Sequence, residues 1–200
     1  MLVFTPEICG EGRDPLAVLA AALPSIDLVQ VRVKSGAADL RRWTLDVLEV
    51  VDAMGGRVPV IVNDRVDVAA TLIERGVAGV HLGDRDLPVE EARELLGPEL
   101  LVGLSTHSPA DVARAARLPV DYLGFGPIHP TPTKGYERGL GAEAAWVAST
   151  GAPCPLFPIG GIDETNASEL QPVGRAAVAA AILAADDPAR AAASLRELLC

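Results

Sequence analysis

The sequence predicts an α/β fold: a single (β/α)8 TIM barrel over residues 1–200. Short β-rich runs recur with helix-like stretches between them, their starts roughly 20 to 35 residues apart, the length of one strand–helix unit. Most of these runs are continuously apolar instead of alternating, as strands of a parallel sheet covered on both faces must be. Eight such units in 200 residues fit a compact barrel, and no linker or low-complexity block divides the chain. The competitor is a doubly wound open sheet. A dinucleotide-binding version needs GxGxxG after the first strand, which "TPEICGEGRDP" does not supply, and "GFGP" at Gly124 runs into a proline-rich loop where a helix should start.

In chain order, the predicted strands are Leu2–Thr5, Leu28–Val33, Val58–Asn63, Gly79–Leu82, Leu101–Leu104, Tyr122–Gly126, Leu156–Ile159 and Ala177–Ala181. Amphipathic stretches at Leu40–Val51, Val89–Leu96, Pro109–Ala116 and Ala189–Leu199 supply helices between and after them. Ser108 and Asp163 have the residue types of helix N-caps. The alanine-rich end keeps strand-then-helix spacing.

Composition narrows the function. Half of the residues are apolar, so the chain buries a sizeable core. A formal net charge of −10 argues against nucleic acid or an acidic membrane surface as partner. Any anionic ligand must be held by a local cluster of basic groups. Cys9, Cys154 and Cys200 are an odd number without short spacing, which suits neither a disulfide framework nor a zinc motif. "MLVFTPE" lacks the features of a signal peptide, and the longest apolar stretch, Ala176 to Ala185, is too short to span a bilayer. The expectation is a soluble, cytoplasmic protein; a homo-oligomer is compatible with it.

In a barrel, chemistry sits at the C-terminal ends of the strands. The second run ends "VQVRVKSG", where period-two spacing places Gln30, Arg32 and Lys34 on one face. An amide and two cations there point to an anion site, since unpaired buried charge is costly; solvated side chains at a strand end are the plain alternative. The third run delivers Asn63 and Asp64, for which a turn is the ordinary explanation. The fourth delivers Asp84 and Asp86. Carboxylates from two neighbouring strand ends suit Mg²⁺, which takes one or two protein carboxylates beside ligand phosphate and water. Cations together with Mg²⁺ are a means of neutralising a diphosphate.

The fifth run offers Ser105 and His107. The sixth opens the loop "GPIHPTPTKGY", where Pro127, Pro130 and Pro132 forbid a helix or a central strand. That loop carries Thr131, Thr133 and Lys134, which read either as a surface turn or as a phosphate cradle of hydroxyls and an ammonium. The seventh ends "PIGGID", whose two glycines permit close backbone approach and whose following helix start offers N–H groups to a phosphate. His81, His107 and His129 all fall at or after the ends of strands four to six. A His₃ metal site is imaginable there, with ordinary hydrogen-bonded histidines as the alternative.

The motifs "VQVRVKSG", "VNDRVDVA", "GVHLGDRDLP", "LVGLSTHS", "DYLGFGPIHPTPTK" and "PIGGIDETN" resemble, in order and spacing, those of the thiamine phosphate synthases. The resemblance covers nearly the whole chain. It implies a (β/α)8 barrel that joins hydroxymethylpyrimidine diphosphate to a thiazole phosphate, releasing diphosphate, with Mg²⁺. It implies that Gln30, Arg32, Lys34 and Asn63 contact the pyrimidine diphosphate, and that Asp64 and Asp86 hold Mg²⁺. Ser105 and Lys134 would contact the diphosphate or the pyrimidine, and Thr131, Thr133 and Gly161 the thiazole phosphate. Arg32, Lys34, Ser105 and Lys134 are the residues expected to carry catalysis. Related thiazole tautomerases work without a metal on a similar sequence, and a non-catalytic phosphate-ligand sensor could use the same scaffold. Asp64, Asp86 and "PTPTK" favour the synthase.

Three departures stand out: Val33 where the family often has an acidic residue, His129 in place of a more usual aromatic, and "AVAAAILAA" near strand eight where a serine is usual. The substrates implied also suggest a mechanism. Carbon–oxygen cleavage in a pyrimidine-methyl diphosphate leaves a ring-stabilised cation, so no strong nucleophile is required, and the chain shows no nucleophile motif.

Overall fold

The computed structural model describes residues 1–130 and 138–200. Among these residues, seven parallel strands pair in chain order: β1 Leu2–Phe4, β2 Val29–Val31, β3 Val60–Asn63, β4 Val77–Leu82, β5 Leu101–Thr106, β6 Tyr122–Phe125 and β7 Leu156–Pro158. The α-helices among the described residues are α1 Pro15–Ala22, α2 Ala37–Ala53, α3 Val66–Ala70, α4 Val89–Leu96, α5 Pro109–Ala115, α6 Ala142–Gly151, α7 Ala180–Leu183 and α8 Pro188–Leu199. The architecture is a curled, TIM-barrel-like parallel sheet with helices in its connections.

Period-two alternation divides the strand residues between two cores. Leu2, Phe4, Val29, Val31, Val60, Val62, Val80, Leu82, Val102, Leu123 and Phe125 pack outward against helix residues such as Leu19, Leu40, Val47, Ala92 and Leu195. Leu28, Ile61 and Tyr122 form a separate cluster with Met1, Ala78, Leu101 and Phe157. Because both faces are covered, the strands read as continuous apolar runs.

The helices follow from local chemistry. In α2, Leu40, Thr44, Val47 and Val51 recur at helical spacing on the buried face, and the Thr44 hydroxyl donates to the Leu40 carbonyl at 2.7 Å. Ser108 is the N-cap of α5, accepting from the Asp111 N–H at 3.2 Å, as its residue type predicts. Arg93 of α4 donates to the carbonyls of Leu100 and Pro119 and to the Asp121 carboxylate, tying α4 to the entries of β5 and β6.

The predicted eighth strand, Ala177–Ala181, is corrected. Ala177 bridges to Ile159 and Val178 to Leu2 as isolated parallel bridges, and the chain is helical from Ala180. Alanine is a weak strand former and the best helix former, so these residues leave the extended state early. The segment still lies between the two edges of the sheet: the Ala177 N–H donates to the Pro158 carbonyl at 2.8 Å, and the Val3 N–H to the Val178 carbonyl at 2.8 Å. The helix expected directly after "PIGGID" is also absent as an α-helix; a 3-10 turn, Ala167–Leu170, stands there. Asp163 instead accepts from the Thr165 N–H at 2.8 Å, making a turn.

Candidate active site

β2, β3 and β4 are neighbours, so their C-terminal ends form one arc of rim. Gln30 points inward from β2; it is 3% exposed and its side-chain amide donates to the Asn63 side-chain oxygen Oδ1 at 2.8 Å. That bond orients both amides. Arg32 and Lys34 are corrected in one respect: β2 stops at Val31, so both lie on its extension. The Arg32 N–H still donates to the Phe4 carbonyl at 2.8 Å. Burial falls along the row from buried Gln30 through half-buried Arg32 to exposed Lys34, while Val33 packs on the outer core. The last contact gives Val33 a structural use. Among the described residues, neither Arg32 nor Lys34 pairs with a carboxylate.

Asp64 follows β3 with φ of 64°, a left-handed conformation uncommon outside glycine and tolerated best by Asn and Asp. Its N–H donates to the His81 carbonyl at 2.8 Å, which fixes the turn against β4. After β4, half-buried Asp86 folds back to accept from the Gly83 N–H at 2.7 Å, while Asp84 is exposed. Two hard carboxylates thus leave adjacent strand ends, a donor set that fits Mg²⁺. No described group of three His, Cys, Asp or Glu residues could hold a metal.

Ser105 points inward from β5, its Oγ 2.9 Å from His81 Nε2; His81 Nδ1 lies 2.8 Å from the Tyr122 hydroxyl on β6. His81 is 7% and Tyr122 4% exposed, and burial pushes the Tyr122 phenol well above its usual pKa. The other two histidines serve elsewhere. His107 Nδ1 bonds to the Gly126 carbonyl, and its backbone N–H donates to the Asp111 carboxylate at 2.9 Å. His129 Nε2 lies 3.8 Å from Glu169. The His₃ arrangement is not formed.

Thr131, Thr133 and Lys134 lie outside the described residues. The described residues on either side of them are tied by backbone hydrogen bonds. Ile128 and His129 donate to the carbonyls of Ile159 and Gly160, while Leu140 and Gly141 donate to those of Pro127 and Ile128. Gly161, expected at a phosphate, has φ of 63°, and a Cβ there would fall 2.6 Å from the Pro130 carbonyl oxygen. Close packing of β7's end against this loop base therefore requires glycine by itself.

Sequence reasoning missed Tyr122 and the glycines around it. A Cβ on Gly103 would sit 2.0 Å from the Tyr122 ring, and one on Gly124 would sit 3.2 Å from His81 Cε1. A glycine at an inward position beside polar residues on flanking strands is the signal that could have found them.

Comparison with known proteins shows the family and the fold. A family model described as thiamine monophosphate synthase matches residues 1–182. A thiamine-phosphate synthase of Albidiferax ferrireducens is 40% identical over 204 residues, covering 100% of this chain and 91% of that protein. One from Gloeobacter violaceus is 44% identical over 186 residues, covering 90% of this chain and 52% of that protein, so the chain spans about half of that longer relative. Among solved structures, thiamine phosphate pyrophosphorylase from Pyrococcus furiosus superposes with a TM-score of 0.83 at 27% identity, covering 99% of this chain and 94% of that one. A 3-hexulose-6-phosphate synthase from Salmonella typhimurium, at 15% identity and a TM-score of 0.65, shares the fold alone. With the family match spanning residues 1–182 and a relative 40% identical over the whole of this chain, the chain belongs to the thiamine monophosphate synthase family.

Proposed function

We propose that this protein is a thiamine-phosphate synthase, a transferase that joins hydroxymethylpyrimidine diphosphate to a thiazole phosphate and releases diphosphate. One observation carries the reading beyond family membership: in a chain of net charge −10, Arg32 and Lys34 pair with no carboxylate among the described residues and stand beside the strand ends that bear Asp64 and Asp86. Cations held apart from the chain's own acids are suited to an anionic ligand. Gln30 and Asn63, already bonded to each other, would hold the pyrimidine end. Thr131, Thr133, Lys134 and Gly161 are assigned to the phosphates on the strength of their motifs. The same reading includes Mg²⁺ on Asp64 and Asp86, which when bound supplies charge neutralisation to the diphosphate. It also takes the sheet as a (β/α)8 barrel, supported by the two bridges at Ala177 and Val178. No described helix is long and apolar enough to cross a membrane, which is consistent with a cytoplasmic enzyme acting on small molecules.

The protein's part in the reaction is positioning and electrostatics. Arg32, Lys34 and Lys134 stabilise the departing diphosphate, and the thiazole nitrogen captures the pyrimidine-methyl cation. Electron-withdrawing substituents on the pyrimidine should therefore slow the chemical step by at least about tenfold in single-turnover measurements, since that cation bears the charge. A rate indifferent to substitution points to direct displacement.

Lys34→Ala gives a cleaner test of the anion site. The side chain is exposed and beyond the strand, so the melting temperature should move by no more than about 2 °C while the catalytic rate falls at least about tenfold. A lower melting temperature with an unchanged rate per folded molecule would assign Lys34 a structural role.

A further inference from the structure

Tyr122, His81 and Ser105 form a chain of hydrogen bonds across three adjacent strands, from the buried interior toward the rim. The path is built for the purpose. Tyr122 on β6 must pass over β5 to reach His81 on β4, and Gly103 leaves the opening: any Cβ there would lie 2.3 Å from the Tyr122 hydroxyl oxygen. Gly124, next in the same inward row, gives the imidazole its own clearance. The two rings stack with centroids 5.4 Å apart.

The direction of the chain follows from proton counting. The neutral phenol has one proton, and among the described residues its hydrogen-bond partner is His81 Nδ1. If Nδ1 carried the proton, as in the other tautomer, the buried phenolic proton would have no acceptor among the described residues, at a cost of about 1–3 kcal/mol. Nδ1 therefore accepts, Nε2 carries the proton, and Nε2–H donates to Ser105 Oγ. Ser105 is left with its own O–H to give away. Resting on the synthase reading above, we infer that Tyr122 is a positioning residue. Through His81 it commits the Ser105 hydroxyl as a donor to an acceptor of the pyrimidine diphosphate, either a ring nitrogen or a diphosphate oxygen. The opposite tautomer would present that substrate with lone pairs where it offers lone pairs of its own.

Two measurements on the full chain test this. With only three histidines in the sequence, imidazole ¹⁵N NMR can assign each one. His81 should show an unprotonated Nδ1 and a protonated Nε2 at neutral pH; a protonated Nδ1 overturns the inference whatever the activity. Tyr122→Phe keeps the ring and removes the proton. It should lower kcat/KM about five- to tenfold with Ser105 present, and by less than about twofold in a Ser105→Ala background. Equal losses in both backgrounds would mean that Tyr122 acts through packing, and overturn the inference. Absence of synthase turnover in the unmodified protein would overturn the substrate reading, and with it the destination of the Ser105 proton, while the tautomer is still decided by NMR.

Discussion

Asp64→Asn and Asp86→Asn should each cut synthase turnover by about two to three orders of magnitude while leaving the fold intact. Asparagine is the informative replacement at both positions. At Asp64 the backbone sits at φ of 64°, which asparagine adopts as readily as aspartate, so the turn and its bond to the His81 carbonyl survive. At Asp86 the amide oxygen can still accept from the Gly83 N–H, so the loop after β4 keeps its shape. Only the negative charge is lost. Steady-state rates with and without EDTA, beside far-UV circular dichroism, make the measurement. Full synthase activity in EDTA would overturn the assignment of Mg²⁺ to Asp64 and Asp86.

Gly103→Ala should lower the melting temperature by about 5–15 °C, read by scanning calorimetry. The added Cβ would fall 2.0 Å from Tyr122 Cζ, inside an interior where Tyr122 also packs edge-on against Phe157 at 5.7 Å. Displacing the ring costs about 1–3 kcal/mol in overpacking, and about as much again for a buried hydroxyl pulled from His81. An unchanged melting temperature would mean that the ring slides aside freely, and that Gly103 is not needed for the close approach.

Much of the scaffold was legible because a parallel sheet writes itself as continuous apolar runs. β3, β5 and β6 begin or end within two residues of prediction for that reason. Val89–Leu96 was read without error, since its apolar residues fall on one helical face. Helices α1 and α6 gave less signal: alanine-rich and apolar around much of their circumference, they lack the contrast that marks a buried side. The eighth strand failed for the related reason that alanine does not specify extension. At the site, the cations Arg32 and Lys34 at the end of an apolar run could be named as candidates from residue type alone. The Tyr122–His81–Ser105 chain did not, because it depends on which strands are neighbours and on the space that Gly103 leaves, and partners 41 residues apart share no local pattern. The left-handed backbone at Asp64 was equally hidden, since its residue type is ordinary for any turn.

The segment that lies between β1 and β7 has a consequence in time. During synthesis, β1 emerges first, yet the partners of its outer edge, the carbonyl and N–H of Val178, are made after every other strand. Until then the Val3 N–H on one side of the sheet and the Pro158 carbonyl on the other lack those bonds, and the nascent sheet presents two open edges to its neighbours in the cell. Residues 176–178 act as a late seal, so the order in which the ribosome delivers the chain leaves the sheet most exposed to misassembly after β7 has been made and before these residues arrive.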